Sequence, residues 1–307
     1  MHIGSLILPI FAIILTGWLA GVSGYLPRTV AGALMQFAYY VAMPALVFLT
    51  VAKEPLASLL EWRFLAAFGG SSLICFAAVL LASRIVLRAS LGKSAMLGAI
   101  VSMTNTGFVA LPILRALQGQ HGVLAAAVAT VFVGAIMFPA LVILLEVDQQ
   151  SDSHKKMRAS ALAKQIGTNP VILATILGLL WSVGGLALPA PVATYLGILG
   201  EALTPCALFA IGLDLSVDEL RGHLNRYALL AALKLVAMPF VVYGLCVAAG
   251  LDRTLTLAAV ICAAVPTAKS AYVLASEYDV EKTSTGAAIS MTTLFSIVTL
   301  LAWLYWL

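Results

Sequence analysis

Ten long apolar segments follow one another along the chain and limit its fold more than any other feature. Each is about long enough to cross a bilayer as a helix, which takes roughly 20 residues, although the sixth is only just so. Only 10% of the 307 residues are charged, whereas soluble domains are about 25% charged. We therefore predict an all-α polytopic membrane protein with ten transmembrane helices. The segments are residues 3–21, 30–52, 64–83, 94–117, 122–145, 170–187, 192–213, 227–249, 255–276 and 284–306.

The lysines and arginines in the connectors, or at the ends of the spans beside them, predict the orientation of the chain. Eleven are assigned to the odd-numbered connectors and four to the even-numbered ones, and basic loops stay on the cytoplasmic side. Both termini are therefore expected outside a cell inner (plasma) membrane. The longest connector, a polar linker at residues 146–169, is expected in the cytoplasm. It separates a first five-helix repeat at 1–145 from a second at 170–307, and five helices per half give the two halves opposite orientations.

Matching interruptions in the two halves predict an inverted 5+5 repeat. The second segment of each half carries a proline and a phenylalanine four residues apart, and these pairs are Pro44 with Phe48 and Pro205 with Phe209. The fourth segment of each half is polar midway, around residues 104–108 and 265–270. Paired interrupted segments are the best sequence indication of a transporter's binding site near the midplane of the bilayer. We predict that these two helices, the fourth and ninth, are broken and cross each other.

The ninth segment holds a proline, two hydroxyls and a lysine inside an apolar run. Pro266 removes a backbone donor and clashes with the preceding turn, so the helix is expected to bend or break near Val265. A lysine near the bilayer centre is costly, and such residues are usually functional. A broken helix that carries Lys269 is therefore a candidate anion site. The alternative is that Pro266 only kinks the helix while Lys269 extends towards the bilayer surface.

The predicted site combines neutral donors with one positive charge. Asn105 and Thr106 offer an amide and a hydroxyl beside Gly107, which lets the backbone open, although Asn and Thr also join membrane helices to one another. Ser102 and Thr104 are weaker candidates, because hydroxyls often bond back to their own helix. The predicted substrate-binding residues are Asn105, Thr106, Gly107, Pro266, Thr267, Lys269 and Ser270.

Two further charged residues lie inside apolar segments. Glu201 stands four residues before Pro205, deep enough for a raised pKa and for a role in proton coupling. It could instead form an ion pair with Lys234 or Lys269, or lie near the headgroups. Lys234 is about two turns into the eighth segment, and we expect its ammonium to reach the bilayer surface.

Several of these motifs resemble those of the auxin efflux carrier family. They are Asn-Thr-Gly-Phe at 105–108 with Leu-Pro at 111–112, and Pro-Thr-Ala at 266–268 with Ala-Tyr-Val-Leu-Ala at 271–275. The resemblance covers the whole chain and implies a scaffold domain and a transport domain, with two broken helices crossing at the midplane as in sodium/proton antiporters and bile-acid carriers. It also implies an elevator-type carrier, and bacterial members carry organic acids. Lys269 and Ser270 stand where the family often has an apolar residue and an asparagine, which favours a more strongly anionic ligand such as malonate.

Three function classes fit such a chain to different degrees. The leading prediction is a secondary transporter of small organic anions, coupled to protons or sodium, with no cofactor, no metal and no nucleic-acid partner. A channel or a non-transporting sensor remains open, because a fold alone does not define function. An intramembrane enzyme is disfavoured, since the four histidines fall at the terminus or in connectors and Asp214 stands nearly alone. The sequence leaves a homodimer open.

Overall fold

A computed structural model describes residues 3–53, 62–150, 167–185, 187–215 and 224–307. Within those ranges the chain is helical, and its only extended pairing is one isolated β-bridge. Most of the predicted linker 146–169, namely residues 151–166, lies outside the described ranges. The helices, numbered here in chain order, are α1 Ile3–Val22, α2 Thr29–Lys53, α3 Trp62–Val86, α4 Leu91–Ser102, α5 106–118, α6 120–150, α7 Pro170–Val183, α8 Ala190–Leu213, α9 224–248, α10 Arg253–Ala264, α11 Lys269–Glu277 and α12 Lys282–Trp306.

Six helical runs in the described residues are long and apolar enough to cross a membrane. The prediction of a multi-helix membrane protein is therefore confirmed, whereas the count of ten spans stays a prediction. One of the six runs, Thr106–Gln149, is 44 residues long and contains α5 and α6. It changes direction at Gly119, whose φ of 59° and ψ of −131° are outside helical values. That left-handed φ is open to glycine at little steric cost, so Gly119 separates two helices.

Proline positions explain where the long helices widen. Among the described residues, four π-type turns of five residues each end two residues before a proline. A proline has no amide hydrogen and its ring clashes with the carbonyl four residues earlier, and a wider turn relieves both problems. In α9, Pro239 leaves the carbonyl of Leu235 without a helical donor, and the indole N–H of Trp303 donates to it at 3.0 Å. The prolines are Pro44, Pro112, Pro139 and Pro239.

The described residues divide into two compact units. The first unit comprises Met1–Trp62, Gly107–Thr130 and Gly167–Leu215. In it, α1 packs on the second half of α8, where Gly17 and Gly21 face the backbone of Phe209 and Leu213. The Gly17/Gly21 spacing thus serves close helix packing, as such small-residue patterns commonly do.

The second unit comprises Arg63–Thr106, Val131–Ile166 and Ser216–Leu307. Its centre is formed by α4, the middle of α9, α10 and α12, and α10 is buried from Ala258 to Ala264. Both units draw on both halves of the sequence. The predicted repeat boundaries, 1–145 and 170–307, describe sequence halves and not compact units, so they stay a prediction.

Candidate functional site

The two interrupted segments meet through their backbones inside the second unit. Thr104 lies opposite Thr267 in an antiparallel bridge. The amide of Asn105 donates to the carbonyl of Pro266 at 2.9 Å, and the amide of Ala268 donates to the carbonyl of Met103 at 2.8 Å. These two bonds satisfy backbone groups that both helices lose where they break. The pairing is therefore what holds two unwound segments together in the protein interior.

Local chemistry accounts for the break in the ninth segment. The residue before a proline is restricted to extended values, and Val265 has a φ of −69° and a ψ of 160°. α10 accordingly ends at Ala264, and α11 begins at Lys269. The predicted break near Val265 is confirmed. The break in the fourth segment falls at 103–105, where Met103 has a ψ of 104°, and α5 resumes at Thr106.

Thr267 is committed to the architecture of the crossing. Its hydroxyl donates to the carbonyl of Ile100 in α4 at 2.7 Å, and its amide donates to the hydroxyl of Thr292 in α12 at 3.2 Å. The side chain is fully buried. We predicted Thr267 as a donor to a ligand, but its hydroxyl proton is already used within the protein. The geometry thus supports a positioning role for this residue.

Thr104, on the other strand of the crossing, has a buried hydroxyl with no hydrogen-bond partner among the described residues. A buried hydroxyl without a partner is costly and calls for an explanation. We ranked Ser102 and Thr104 together as hydroxyls that bond back to their own helix. Ser102 does so, to the carbonyl of Gly98 at 2.8 Å. Thr104 does not, because the chain leaves the helix at Met103, and its hydroxyl is thus available to a ligand at the crossing.

Four other predicted site residues follow this pairing directly along the chain. Asn105 and Thr106 are buried, while Lys269 and Ser270 in the first turn of α11 are half-buried. Ala268 precedes α11 and provides no side-chain cap. The first turn of this helix therefore presents backbone N–H groups and the side chain of Lys269. Gly107 belongs to the first unit, where a Cβ at its position would meet the side chain of Met43. The contacting atoms are the flexible end of that methionine, so this packing alone does not require a glycine at position 107.

The prediction that Lys234 reaches the bilayer surface is wrong. The side chain is 0% exposed and lies in the π-type turn Leu233–Ala237 of α9. Its side-chain nitrogen donates a hydrogen bond to the carbonyl of Ala263, in the last turn of α10. Distance along the segment failed as a guide because α10 and α12 cover this position in the tertiary structure. The sequence signal that could have found it is a lysine five residues before a proline, Pro239, within an apolar run.

Glu201 lies in the first unit and does not have the burial that its predicted role assumed. Its side chain is 72% exposed, and its carboxylate stands 3.9 Å from the guanidinium of Arg115. The ion partner of Glu201 is thus Arg115, and not Lys234 or Lys269 as the alternative had it. Glu201 ends the first half of α8 just before Ala202 interrupts the helix. A role in ion coupling stays a prediction.

Comparison with known proteins assigns the chain to a family. Over 305 residues it is 27% identical to a protein of Rhizobium meliloti named "Putative malonate transporter", covering 99% of this chain and 95% of that one. It is 26% identical to an uncharacterized transporter of Methanothermobacter thermautotrophicus, covering 97% and 96%. It is 24% identical to the uncharacterized transporter YfdV of Escherichia coli, covering 99% and 96%. These relatives are named as transporters, not as enzymes. Residues 2–304 match the membrane transport protein family, and the chain therefore belongs to this family of membrane transporters, the auxin efflux carrier family.

Proposed function

We propose that the protein is a secondary transporter of small organic anions, monocarboxylates and dicarboxylates such as malonate, which binds them at the crossing of the two broken helices. One observation carries the proposal: a buried backbone crossing with a threonine hydroxyl that has no partner among the described residues, beside a lysine in the first turn of a helix without a side-chain cap. Helix starts attract anions through their free backbone donors and the positive end of the helix dipole. The malonate relative supports the substrate class.

The residues of the crossing divide the binding task. Thr104 and Ser270 donate hydrogen bonds from their hydroxyl groups, and Asn105 and Thr106 donate hydrogen bonds at the start of α5. Lys269 supplies the positive charge that offsets the cost of removing an anion from water. Thr267 and Pro266 position these donors through the backbone pairing. A dicarboxylate uses the site best, because one carboxylate contacts neutral donors while the other contacts the ammonium.

The membrane arrangement belongs to the same proposal. Ten spans follow if α4 with α5 and α10 with α11 each make one broken span, and if Gly119 ends the span of α5. The run Thr106–Gln149 supports this, because 44 residues extend about 66 Å at about 1.5 Å per residue, against a hydrocarbon core of about 30 Å. An inverted 5+5 repeat is supported by the two breaks, which fall in the fourth segment of each half. Alternating access by an elevator-type movement is the mechanism that we propose for this arrangement.

The eleven-to-four bias of basic residues supports the proposal that both termini lie outside an inner (plasma) membrane. A single cysteine introduced at Lys155, in a background without the four native cysteines, should react with a membrane-impermeant maleimide only after the cells are opened. Labelling in intact cells would show that this linker faces outside, and would contradict the proposed orientation.

Uptake into proteoliposomes tests the function. We expect labelled malonate to enter vesicles that contain the protein, and unlabelled dicarboxylates to compete better than monocarboxylates. The neutral diamide of malonate should compete far less, because it lacks the charge that Lys269 meets. Vesicles without protein provide the background. Equal competition by the diamide would contradict an anion site, and a flux far above carrier rates would favour a channel.

We propose that Glu201 couples anion uptake to the movement of protons. An inward proton gradient should raise malonate uptake by the wild type, and Glu201→Gln should remove that increase, since the amide cannot carry the proton. Arg115→Gln is the matched control because it removes the ion-pair partner and keeps the carboxylate. A Glu201→Gln protein with an unchanged response to the gradient would assign coupling to another group.

The facing threonines of the crossing give a matched pair of substitutions. Thr104→Val removes a hydroxyl that has no partner among the described residues, so we expect little loss of thermal stability. Malonate binding should weaken by roughly 10- to 150-fold, the value of a hydrogen bond to a charged group. Thr267→Val leaves the carbonyl of Ile100 without its donor, so the free energy of unfolding should fall by about 1–3 kcal/mol. Thermal unfolding with and without malonate measures both. Unchanged malonate affinity in Thr104→Val would remove this hydroxyl from the site.

A further inference from the structure

We infer that Thr292 of α12 is a positioning residue of the anion site. Its hydroxyl fixes the backbone of the crossing, and thereby fixes the separation between the ammonium of Lys269 and the neutral donors beside it. The inference rests on the proposed function and deepens it, because this separation decides how strongly the site prefers a dicarboxylate to a monocarboxylate. Thr292 lies in the tenth apolar segment, 284–306, which the sequence assigned only to spanning the membrane.

The register of the crossing leaves the amide of Thr267 in need of an acceptor. The two backbone hydrogen bonds of the crossing flank the pair Thr104–Thr267 and do not join it. In such a pair of an antiparallel ladder, the backbone groups of the two facing residues point away from the opposite strand. A buried amide that points away from its strand partner has to find an acceptor elsewhere.

Thr292 supplies that acceptor. The amide of Thr267 donates to the hydroxyl oxygen of Thr292 at 3.2 Å, and both residues are 0% exposed. The hydroxyl proton of Thr292 goes to the carbonyl of Ile289 in the same helix, at 3.1 Å. Because its proton is used within α12, the oxygen faces the crossing as an acceptor. An anion needs donors, so Thr292 acts on the backbone of the site and not on the ligand.

Thr267 is therefore held by two different helices. Its hydroxyl donates to the carbonyl of Ile100 in α4, and its amide donates to Thr292 in α12. Lys269 begins α11 two residues later, which is at most about 7.6 Å along the chain. A shift of Thr267 therefore moves Lys269 relative to the Thr104 hydroxyl on the opposite strand. The bond to Thr292 resists that shift.

A dicarboxylate depends on this spacing more than a monocarboxylate does. The two carboxylates of malonate are joined by one carbon, so their separation varies little. Both ends bind well only if the ammonium and the neutral donors stand at a matching distance, and a displacement of about 1 Å is enough to matter. Acetate has one carboxylate and can follow whichever donors move. Loss of the Thr292 hydroxyl should therefore weaken malonate binding more than acetate binding.

The neighbouring Thr293 provides a matched control. It is also buried in α12, and its hydroxyl donates to the same carbonyl of Ile289, at 2.7 Å. Within the described ranges, the Thr293 hydroxyl makes no hydrogen bond with the crossing. Thr292→Val and Thr293→Val thus remove the same group from adjacent buried positions, but only the first removes the acceptor of the Thr267 amide. Thr292→Ser keeps that acceptor and serves as the conservative variant.

Thermal unfolding of the detergent-purified variants, titrated with malonate and with acetate, tests the inference. The titration reports the affinity of the folded molecules, so differences in yield do not enter. We expect Thr292→Val to bind malonate about tenfold more weakly, the value of one hydrogen bond, with a smaller loss for acetate. Thr293→Val and Thr292→Ser should keep the wild-type ratio of the two affinities. A purely structural role would lower the unfolding midpoint of Thr292→Val and leave that ratio unchanged, which would overturn the inference.

Hydrogen–deuterium exchange gives a second measurement that needs no carboxylate. The amide of Thr267 should be protected in the wild type and in Thr293→Val, and should exchange faster in Thr292→Val. If Thr292→Val cannot be purified, the wild type decides, because rapid exchange of this amide would overturn the inference. Failure of the proposed function looks different: neither malonate nor acetate would stabilise the wild type, whatever the exchange of Thr267.

Discussion

Lys269→Ala should lose most malonate transport while the protein still inserts and folds. Lys269 begins α11 beside the crossing and is half-buried there, so its removal leaves the anion with neutral donors only. A charge-assisted hydrogen bond contributes about 1.5–3 kcal/mol, which corresponds to a roughly 10- to 150-fold loss of affinity. Malonate affinity of the detergent-purified protein and initial uptake rates in proteoliposomes measure the effect.

Two further lysine variants make this result specific. Lys269→Arg keeps the charge but places a larger, planar group at the helix start, so transport should be reduced and not abolished. Lys282→Ala removes an exposed lysine at the start of α12 and should leave malonate uptake unchanged. If Lys269→Ala binds malonate as the wild type does, the crossing is architecture and the anion site lies elsewhere.

Gly212→Leu should prevent stable folding of the first unit. Gly212 of α8 stands against the backbone of Ile14 and Trp18 in α1, so an added side chain meets main-chain atoms that cannot rotate away. Overpacking costs about 1–3 kcal/mol even where side chains can adjust, and here α1 would have to separate from α8. We expect a low yield and a thermal midpoint well below that of the wild type, measured in the same detergent.

Gly32→Ala is the matched control for Gly212→Leu. Gly32 lies in α2, is exposed, and has no atom within 4 Å of the position that a Cβ would take. Replacing a glycine inside a helix by alanine should raise the free energy of unfolding by about 0.5–1 kcal/mol. A Gly212→Leu protein as stable as the wild type would show that α1 and α8 do not pack this closely.

The interruptions of the helices were predictable because they depend on neighbours in sequence. Pro266 forces Val265 into an extended conformation, and the same rule locates the wide turn before Pro239. The break at Met103–Asn105 was indicated only by its polar residues, and it begins one residue before the predicted polar stretch at 104–108. No proline fixes that end of the fourth segment.

The partners of the polar side chains were not predictable in this way. Glu201 is deep in its apolar segment, yet its carboxylate is exposed beside Arg115. Lys234 is near one end of its segment, yet it is fully buried against α10. Depth along a segment describes the position of a residue across a membrane, whereas burial depends on which helices stand beside it.

The sequence by itself determined the membrane class, the location of the apolar helices and the two breaks, because hydrophobic length and proline act over a few residues. Only the tertiary structure decided that the breaks pair through Thr104 and Thr267. It also decided that the Thr267 hydroxyl donates to the carbonyl of Ile100, while the Thr104 hydroxyl has no partner among the described residues. It also brought Lys234 to the end of α10. These contacts join residues far apart in the chain, and hydrogen bonding between them depends on distances that no local pattern encodes.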